Sequence, residues 1–248
     1  MTGSSPWDLA ERAAKEAGVS LRLLTTLEDA DAALGVMVDT WGDEQLLPRE
    51  LVRAFQASGN VPIGAFEDDT LVGYVLGFLG PGDDAVHLHS HMLAVEPKRR
   101  SAGVGYALKL AQRAWALDTG VDVVRWTFDP LVARNAYFNL SKLGAVADRF
   151  HREFYGQMTD ALNRGDRSDR LEARWDLSRE PGPRRPSGDA VTVKIPAGHA
   201  GLKERDPSEA KRVRDEVAAE LEARFAEGFI ATGFLKQGAY VFESGAHP

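Results

Sequence analysis

No cysteine occurs in the 248 residues. Disulfides, thiolate metal sites and a cysteine nucleophile are therefore excluded, a usage that fits a cytoplasmic protein. Long apolar runs are also missing. The most apolar stretch, Leu71-Val-Gly-Tyr-Val-Leu-Gly-Phe-Leu79, is far too short to span a bilayer. The opening Met1-Thr-Gly-Ser-Ser-Pro-Trp-Asp8 has neither the basic region nor the apolar run of a signal peptide, so a soluble protein is expected. An excess of basic residues is absent too: the net charge of −7 argues against a nucleic-acid-binding surface. No G-x-G-x-x-G follows a strand pattern and no lysine-bearing P-loop is present, which sets aside both dinucleotide and P-loop readings. Internal repeats and low-complexity tracts are not detected.

What is present reads as a folded α/β chain. Hydrophobic content of 44% with 27% charged residues is that of an ordinary globular protein with a substantial core. Ser5 as N-cap, Pro6 at the first helical position and Gly18 as a stop predict an N-terminal helix within residues 1–20. Leu21–Leu27 predicts a strand, Asp29–Trp41 and Pro48–Ala57 two helices, and Val61–Phe66 with Leu71–Phe78 a hairpin about Glu67-Asp-Asp-Thr70. A strand over Val121–Phe128 follows a helix that Gly120 ends. Asp129-Pro130 then opens a further helix ended by Gly144, and strands near Ala145–Phe150 and Arg170–Leu177 complete this core. Residues 179–190 form a Pro/Gly-rich linker. Beyond it, over 191–248, Val191–Ile195, a helix capped by Asp206-Pro-Ser-Glu209 and a hairpin about Lys236-Gln-Gly238 form a small β-α-β-β unit. The helix carries an apolar stripe of Val213, Val217, Leu221 and Phe225, so the unit is expected to dock on the core or on a second subunit, as in a homodimer.

The stretch from His87 to Gly105 carries the most chemistry. An alternating strand with histidines at 87, 89 and 91 runs into a basic turn and then two glycines that open an amphipathic helix. A helix N-terminus leaves amide groups unpaired at the positive end of the macrodipole, and Gly103 and Gly105 let a phosphate approach them closely. Arg99 and Arg100 add positive charge. Period-2 alternation puts the three imidazoles on one face, and continued through the strand it puts His89 and His91 on the same face as Leu93 and Val95.

Arg100-Ser-Ala-Gly-Val-Gly105 resembles the R/Q-x-x-G-x-G/A signature of the GNAT superfamily of N-acetyltransferases. Leu93-Ala-Val95, Pro97 two residues later and Asn135 after the next strand also stand where that superfamily has them. The resemblance implies an α/β GNAT fold, a mixed and splayed central sheet flanked by helices, over residues 21–178, with 191–248 as a small α+β extension. It implies acetyl-CoA, or another acyl-CoA, as co-substrate. The pyrophosphate would be held at Arg100, Ser101, Ala102, Gly103, Val104 and Gly105, the pantetheine arm by the strand end at Leu93 and Val95, with Asn135 beside it. The segment His89-Ser-His-Met-Leu-Ala-Val95 is similar to the H-x-H-x-L-x-V strand of the arylalkylamine N-acetyltransferases. By that likeness His89 and His91 are the candidate proton acceptors, His89 first, since it stands six residues before the valine, where GNAT histone acetyltransferases have a glutamate base. A metal site built on His87 is not needed to explain this strand.

The sequence departs from the superfamily pattern where many members carry a tyrosine acid, four residues before the glycine ending the next core helix. Leu140 stands there, and Tyr137, three residues earlier and nearly on the same helical face, is the substitute candidate. Trp126-Thr-Phe-Asp-Pro-Leu131, Asn135-Ala-Tyr-Phe-Asn139, Lys142-Leu-Gly-Ala145 and Asp169-Arg170 look like a bacterial GNAT subfamily of acetyltransferases. The expected partners are acyl-CoA and a small-molecule amine, with neither nucleic acid nor membrane. Two other functions fit the same residues: N-succinylation of amino acids, with Arg125, Arg134, Arg152 and Arg170 as candidate cations for a carboxylate, and a non-catalytic acyl-CoA sensor or assembly module. The loop between His151 and Asp169 is long enough to suggest a functional role.

Overall fold

Capping chemistry sets the first elements. Ser5 and Asp8 form a reciprocal capping box at the start of α1 (Pro6–Glu16), and Thr26 with Asp29 does the same for α2 (Leu27–Trp41). The expected first strand therefore stops early, as β1 (Ser20–Leu23), because Thr26 is committed to the helix cap. The computed structural model describes residues 5–42, 47–60, 62–82, 85–158, 165–185 and 189–245. Position 61 of the expected second strand, positions 159–164 of the long loop and positions 186–188 of the expected linker lie outside the described residues.

The chain divides into two compact units, one within Met1–Val124 and the other built from Arg125–Met158 with Asn163–Pro248. In the first, α3 (Arg49–Ala57) precedes β2 (Ile63–Glu67), β3 (Thr70–Pro81) and β4 (Val86–Val95), and α4 (Val104–Asp118) follows the glycine turn. Strands β1, β2, β3 and β4 are neighbours in that order and all antiparallel. On one face of this sheet, α2 and α3 bury Ala30, Ala33, Met37 and Val52 against Tyr74, Leu76 and Ala94. On the other lies α4, which α1 in turn covers. That sandwich explains why ten residues of α4, including Lys109, Gln112 and Arg113, are buried.

In the second unit the order is β5 (Val123–Phe128), β7 (Arg170–Asp176), β6 (Val146–His151), β9 (Phe229–Leu235), β10 (Ala239–Ser244) and β8 (Val191–Lys194). The C-terminal strands thus prolong the sheet at β6, where Ala147 pairs with Ala231. Ser141 ties the same elements, donating from Oγ to the Phe234 carbonyl at 2.8 Å and accepting from the Phe234 amide at 3.0 Å. α7 (Pro207–Ala226), capped by the Asp206 carboxylate on the Glu209 amide, packs on β6, β8 and β9 and buries Val217 and Leu221. A short α6 (His199–Arg205), opened by Gly198 at φ 73°, has no counterpart in the sequence reading. No described helix is long and apolar enough to cross a membrane.

The helix expected from Asp129-Pro130 starts later. The Asp129 carboxylate accepts from the Leu131 amide at 2.8 Å, closing an Asx turn that keeps 129–132 out of the helix. α5 covers only Ala133–Ala136 and passes into a π-helical turn over Tyr137–Lys142.

Candidate active site

The turn between β4 and α4 has the form a phosphate cradle needs. A 3₁₀ turn, Pro97–Arg99, lifts the chain out of β4, and two residues then take positive φ, Ser101 at 69° and Gly103 at 92°. Gly103 is the N-cap of α4 and offers no side chain, so the first-turn amides of Val104 and Gly105 keep no partner within the helix. A serine in the left-handed region is a mild strain of the kind found where a loop is shaped for a ligand. The two arginines serve the frame. Arg100 Nε donates to the Val95 carbonyl at 3.3 Å, and Arg99 pairs with Glu67 at 3.3 Å while donating to the Ala17 carbonyl at 3.4 Å.

The histidine strand corrects one sequence expectation. β4 pairs with β3 as Leu76 with Met92 and Gly77 with Ser90, so His91 is an extra residue opposite no partner, a β-bulge. The bulge resets the alternation. A Cβ placed on Gly105 of α4 would lie 3.7 Å from Leu93 Cδ2 and 3.9 Å from Val95 Cγ2, which puts those side chains on the α4 face. Met92 and Ala94 instead join the core of α2 and α3, with the Tyr74 hydroxyl donating to Met92 Sδ at 3.7 Å. His89 is on that second face, 5.1 Å from the Phe78 ring, and His91 is 6.1 Å from it; Phe78 itself stacks on Phe55. His89 and His91 therefore do not share a face with Leu93 and Val95.

The three imidazoles run as a row, with ring centres 6.4 Å apart from His87 to His89 and 6.1 Å from His89 to His91. His91, on the bulge, is exposed, yet desolvation by the surrounding protein lowers its pKa, which favours the neutral, proton-accepting form. No group of three or more histidine, aspartate or glutamate side chains among the described residues is placed to hold a metal ion.

Behind the row, on the α4 face, lies a residue that sequence reasoning missed. Lys109 is 2% exposed, and its Nζ donates to Ser90 Oγ at 3.0 Å and Gln112 Oε1 at 2.8 Å. Burial lowers its pKa to about 7. Nothing in the helical pattern of 104–118 marks it, because the helix is covered on two sides rather than one.

Asn135 and Tyr137 belong to the second unit. Asn135, half-buried in α5, donates its amide to the Val132 carbonyl at 2.9 Å. Tyr137 is 39% exposed, whereas Leu140 is fully buried. The two are not on one face, because the wider π turn, closed by the Leu143 amide on the Phe138 carbonyl at 2.9 Å, carries three residues through a smaller angle than an α-helix does. Of the four arginines considered for a carboxylate, Arg125 is held by Asp148 and Glu172 at 3.1 and 2.8 Å. Arg152 is held by Glu222 at 2.8 Å, and the buried Arg170 donates to the Asp169 carbonyl at 2.9 Å. Arg134 has no carboxylate partner among the described residues. In the 151–169 loop, Phe154 and Tyr155 are exposed and in edge contact at 4.7 Å, with Thr127 Oγ1 3.0 Å from the Tyr155 hydroxyl.

Residues 36–140 match the sequence profile of the acetyltransferase (GNAT) family. The fold is shared with Naa20 of Chaetomium thermophilum, solved in complex with a bisubstrate analogue. It is 18% identical with a TM-score of 0.52, over 65% of this chain and 88% of that one. The ribosomal-protein-S18-alanine N-acetyltransferase of Escherichia coli, 14% identical with a TM-score of 0.51, is covered over 97% of its chain and 69% of this one. At these identities the likeness speaks for the fold alone. No curated protein sequence matches the chain.

Proposed function

Because the chain carries an acetyltransferase domain of the GNAT family, we propose that it transfers the acyl group of an acyl-CoA, acetyl-CoA first, to the amine of a small molecule by direct attack. The observation that carries this reading is the join of a bare helix N-terminus at Gly103–Gly105 to a strand bearing a row of imidazoles. The pyrophosphate would lie against the amides of Val104 and Gly105, with the positive end of α4 behind them.

The reaction needs the acceptor as a free amine. Its ammonium gives a proton to His89 or His91, directly or through water, and the nitrogen then attacks the thioester carbonyl carbon. The N–C bond forms, the tetrahedral oxyanion collapses, the C–S bond breaks, and the thiolate leaves with a proton. The lowered pKa of His91 suits the first step: an imidazole that stays neutral further into acid keeps accepting protons there. Tyr137 is the candidate donor to the thiolate, and Asn135 the candidate for the pantetheine arm. Succinyl transfer to amino acids is the less favoured reading, since three of its four candidate cations are already held by carboxylates or a carbonyl.

Thiol release from acetyl-CoA and succinyl-CoA, measured across a panel of amines and amino acids, tests the reading. Turnover of acetyl-CoA with a small amine is expected, falling roughly a hundredfold or more in His89→Ala, and less in His91→Ala if His91 only extends the path. CoA affinity should stay within a few fold in both. Binding of CoA with no thiol released for any acceptor would make the protein an acyl-CoA sensor instead.

A further inference from the structure

The core between the first unit's sheet and α2 and α3 ends in rings. Along β3, Tyr74 and Leu76 are fully buried under the helices, but Phe78, next on the same face, is only half-buried. Phe55 of α3, also half-buried, stacks on it with ring centres 5.7 Å apart and planes 8° from parallel. The column continues into β4, with His89 5.1 Å from the Phe78 ring and His91 6.1 Å from it. Trp41, Leu47 and Met92, partly buried as well, pack against the same core.

Local chemistry holds the stack in place. Ile63, the first residue of β2, pairs with Val75, so β3 runs on past this neighbour. Asn60 serves the part beyond: its Oδ1 accepts from the Leu79 amide at 2.8 Å. Its own amide donates to the Phe55 carbonyl at 2.9 Å, and its Nδ2 donates to Ser58 Oγ at 3.0 Å. The end of α3 is thereby fixed to β3 beside Phe78, and Phe55 with it. Two rings held half-open beside a row of imidazoles present apolar surface that gains free energy when something covers it.

We infer that Phe78, backed by Phe55, is a specificity-determining residue of the acceptor site, which takes an amine carried on an apolar body. The inference rests on the reading of His89 and His91 as the proton acceptors. With its nitrogen at the imidazoles, an acceptor lays the carbons next to that nitrogen along the open side of the rings. An apolar body is buried there at a gain that grows with its area. A body rich in hydroxyls has to give up water for rings that return no comparable hydrogen bond, at a cost for each group. The rings therefore select against polyhydroxylated amines.

The test is thiol release from acetyl-CoA with benzylamine and cyclohexylmethylamine, against ethanolamine and glucosamine, in wild type and three variants: Phe78→Ala, Phe78→Gln and Phe55→Ala. Wild type should favour the first pair by about tenfold or more in kcat/KM. Phe78→Ala should erase most of that ratio, chiefly by raising KM for the apolar amines, with acetyl-CoA affinity within a few fold. Phe55→Ala should move it the same way and less. A ring that only closes the core would lower the thermal midpoint on removal and leave the ratio alone, and that result overturns the inference. If Phe78→Ala does not fold, Phe78→Gln keeps bulk without the apolar face and must lose the ratio; an unchanged ratio there overturns it equally. A wild type that prefers the hydroxylated amines also overturns it, while acyl transfer stands. Should the His89→Ala/His91→Ala double variant keep full turnover, the proton-acceptor reading fails, and the ratio in Phe78→Ala still decides whether the rings line the site. A wild type that releases no thiol with any amine refutes acyl transfer and the inference with it, so each failure has its own signature.

Discussion

Burial pulls the Lys109 amine from 10.5 down to about 7, and this shift has a consequence for stability apart from any catalytic role. The unfolded chain keeps the ordinary value, so between about pH 7 and 10.5 it binds more protons than the folded protein and stability rises with pH. The burial penalty, up to about 5 kcal/mol at 1.36 kcal/mol per unit, is present in full below pH 7 and gone above 10.5. Lys109→Met should therefore raise the urea midpoint clearly at pH 6 and hardly at all above pH 10.5. Equal gains at both would mean that the amine is not desolvated. At the β4–α4 loop proposed to hold the pyrophosphate, the informative position is Ala102, which is exposed and has ordinary φ, unlike Gly103, where any side chain is strained. Ala102→Glu should place a negative charge against the bound pyrophosphate and weaken acetyl-CoA at least tenfold, about 1.4 kcal/mol, with the thermal midpoint unchanged. Calorimetry giving the wild-type affinity would move the cofactor elsewhere.

Two elements owe their form to contacts made far along the chain. β4 carries its bulge because β3 offers Gly73 and Gly77 where the partner backbone comes close: a Cβ on either would stand 2.8 Å from a carbonyl oxygen of β4. α7 is anchored by Arg214, 2% exposed, which bridges Asp129 at 3.0 Å and Asp166 at 2.6 Å; His199 Nε2 also meets Asp166 at 3.1 Å. Burial alone would raise the Asp166 pKa, but His199 and Arg214 outweigh it and hold the carboxyl well below the usual range. A carboxyl depressed in the folded state contributes stability that is present above its unfolded value, near 3.8, and is lost as pH falls below it. Arg214→Met should leave two facing carboxylates without their cation and cost about 3–5 kcal/mol at pH 7. At pH 3 the loss should be visibly smaller, since protonation relieves the carboxylates. Urea titrations at the two pH values check the sign, and a pH-independent loss would assign the effect to packing.

For the molecule as a whole, the C-terminal strands are part of a sheet and not an appendage. They continue it at β6 through Ala147 and Ala231, and α7 buries Val217 and Leu221 over the same strands. Deleting residues 180–248 should open the edge of β6 and uncover that apolar surface, giving aggregation during expression or a marked drop in thermal midpoint. A truncated protein with wild-type solubility and midpoint would show that the core stands alone.

How much of this was legible follows the range of the interactions. Ser5, Pro6, Thr26, Gly103 and Gly120 act on residues within a turn of themselves, so helix starts, the glycine loop and the α/β class could be read from one local stretch at a time. The early end of β1 and the late start of α5 were missed because Thr26 and Asp129 each had two local bonding options, and the strand or helix pattern did not say which would form. The face of His91 was unreadable, since a bulge in β4 is a property of its pairing with β3 and period-2 alternation assumes there is none. The burial of Lys109 depends on β4, whose Ser90 meets its amine, and the Arg214–Asp129 bridge joins residues 85 positions apart. The sequence by itself determined most helix starts, the glycine turn after β4 and the family likeness, because backbone capping and glycine conformations are local. Only the tertiary structure decided which way the histidines face and what covers β6, because those depend on packing between segments that share no local pattern.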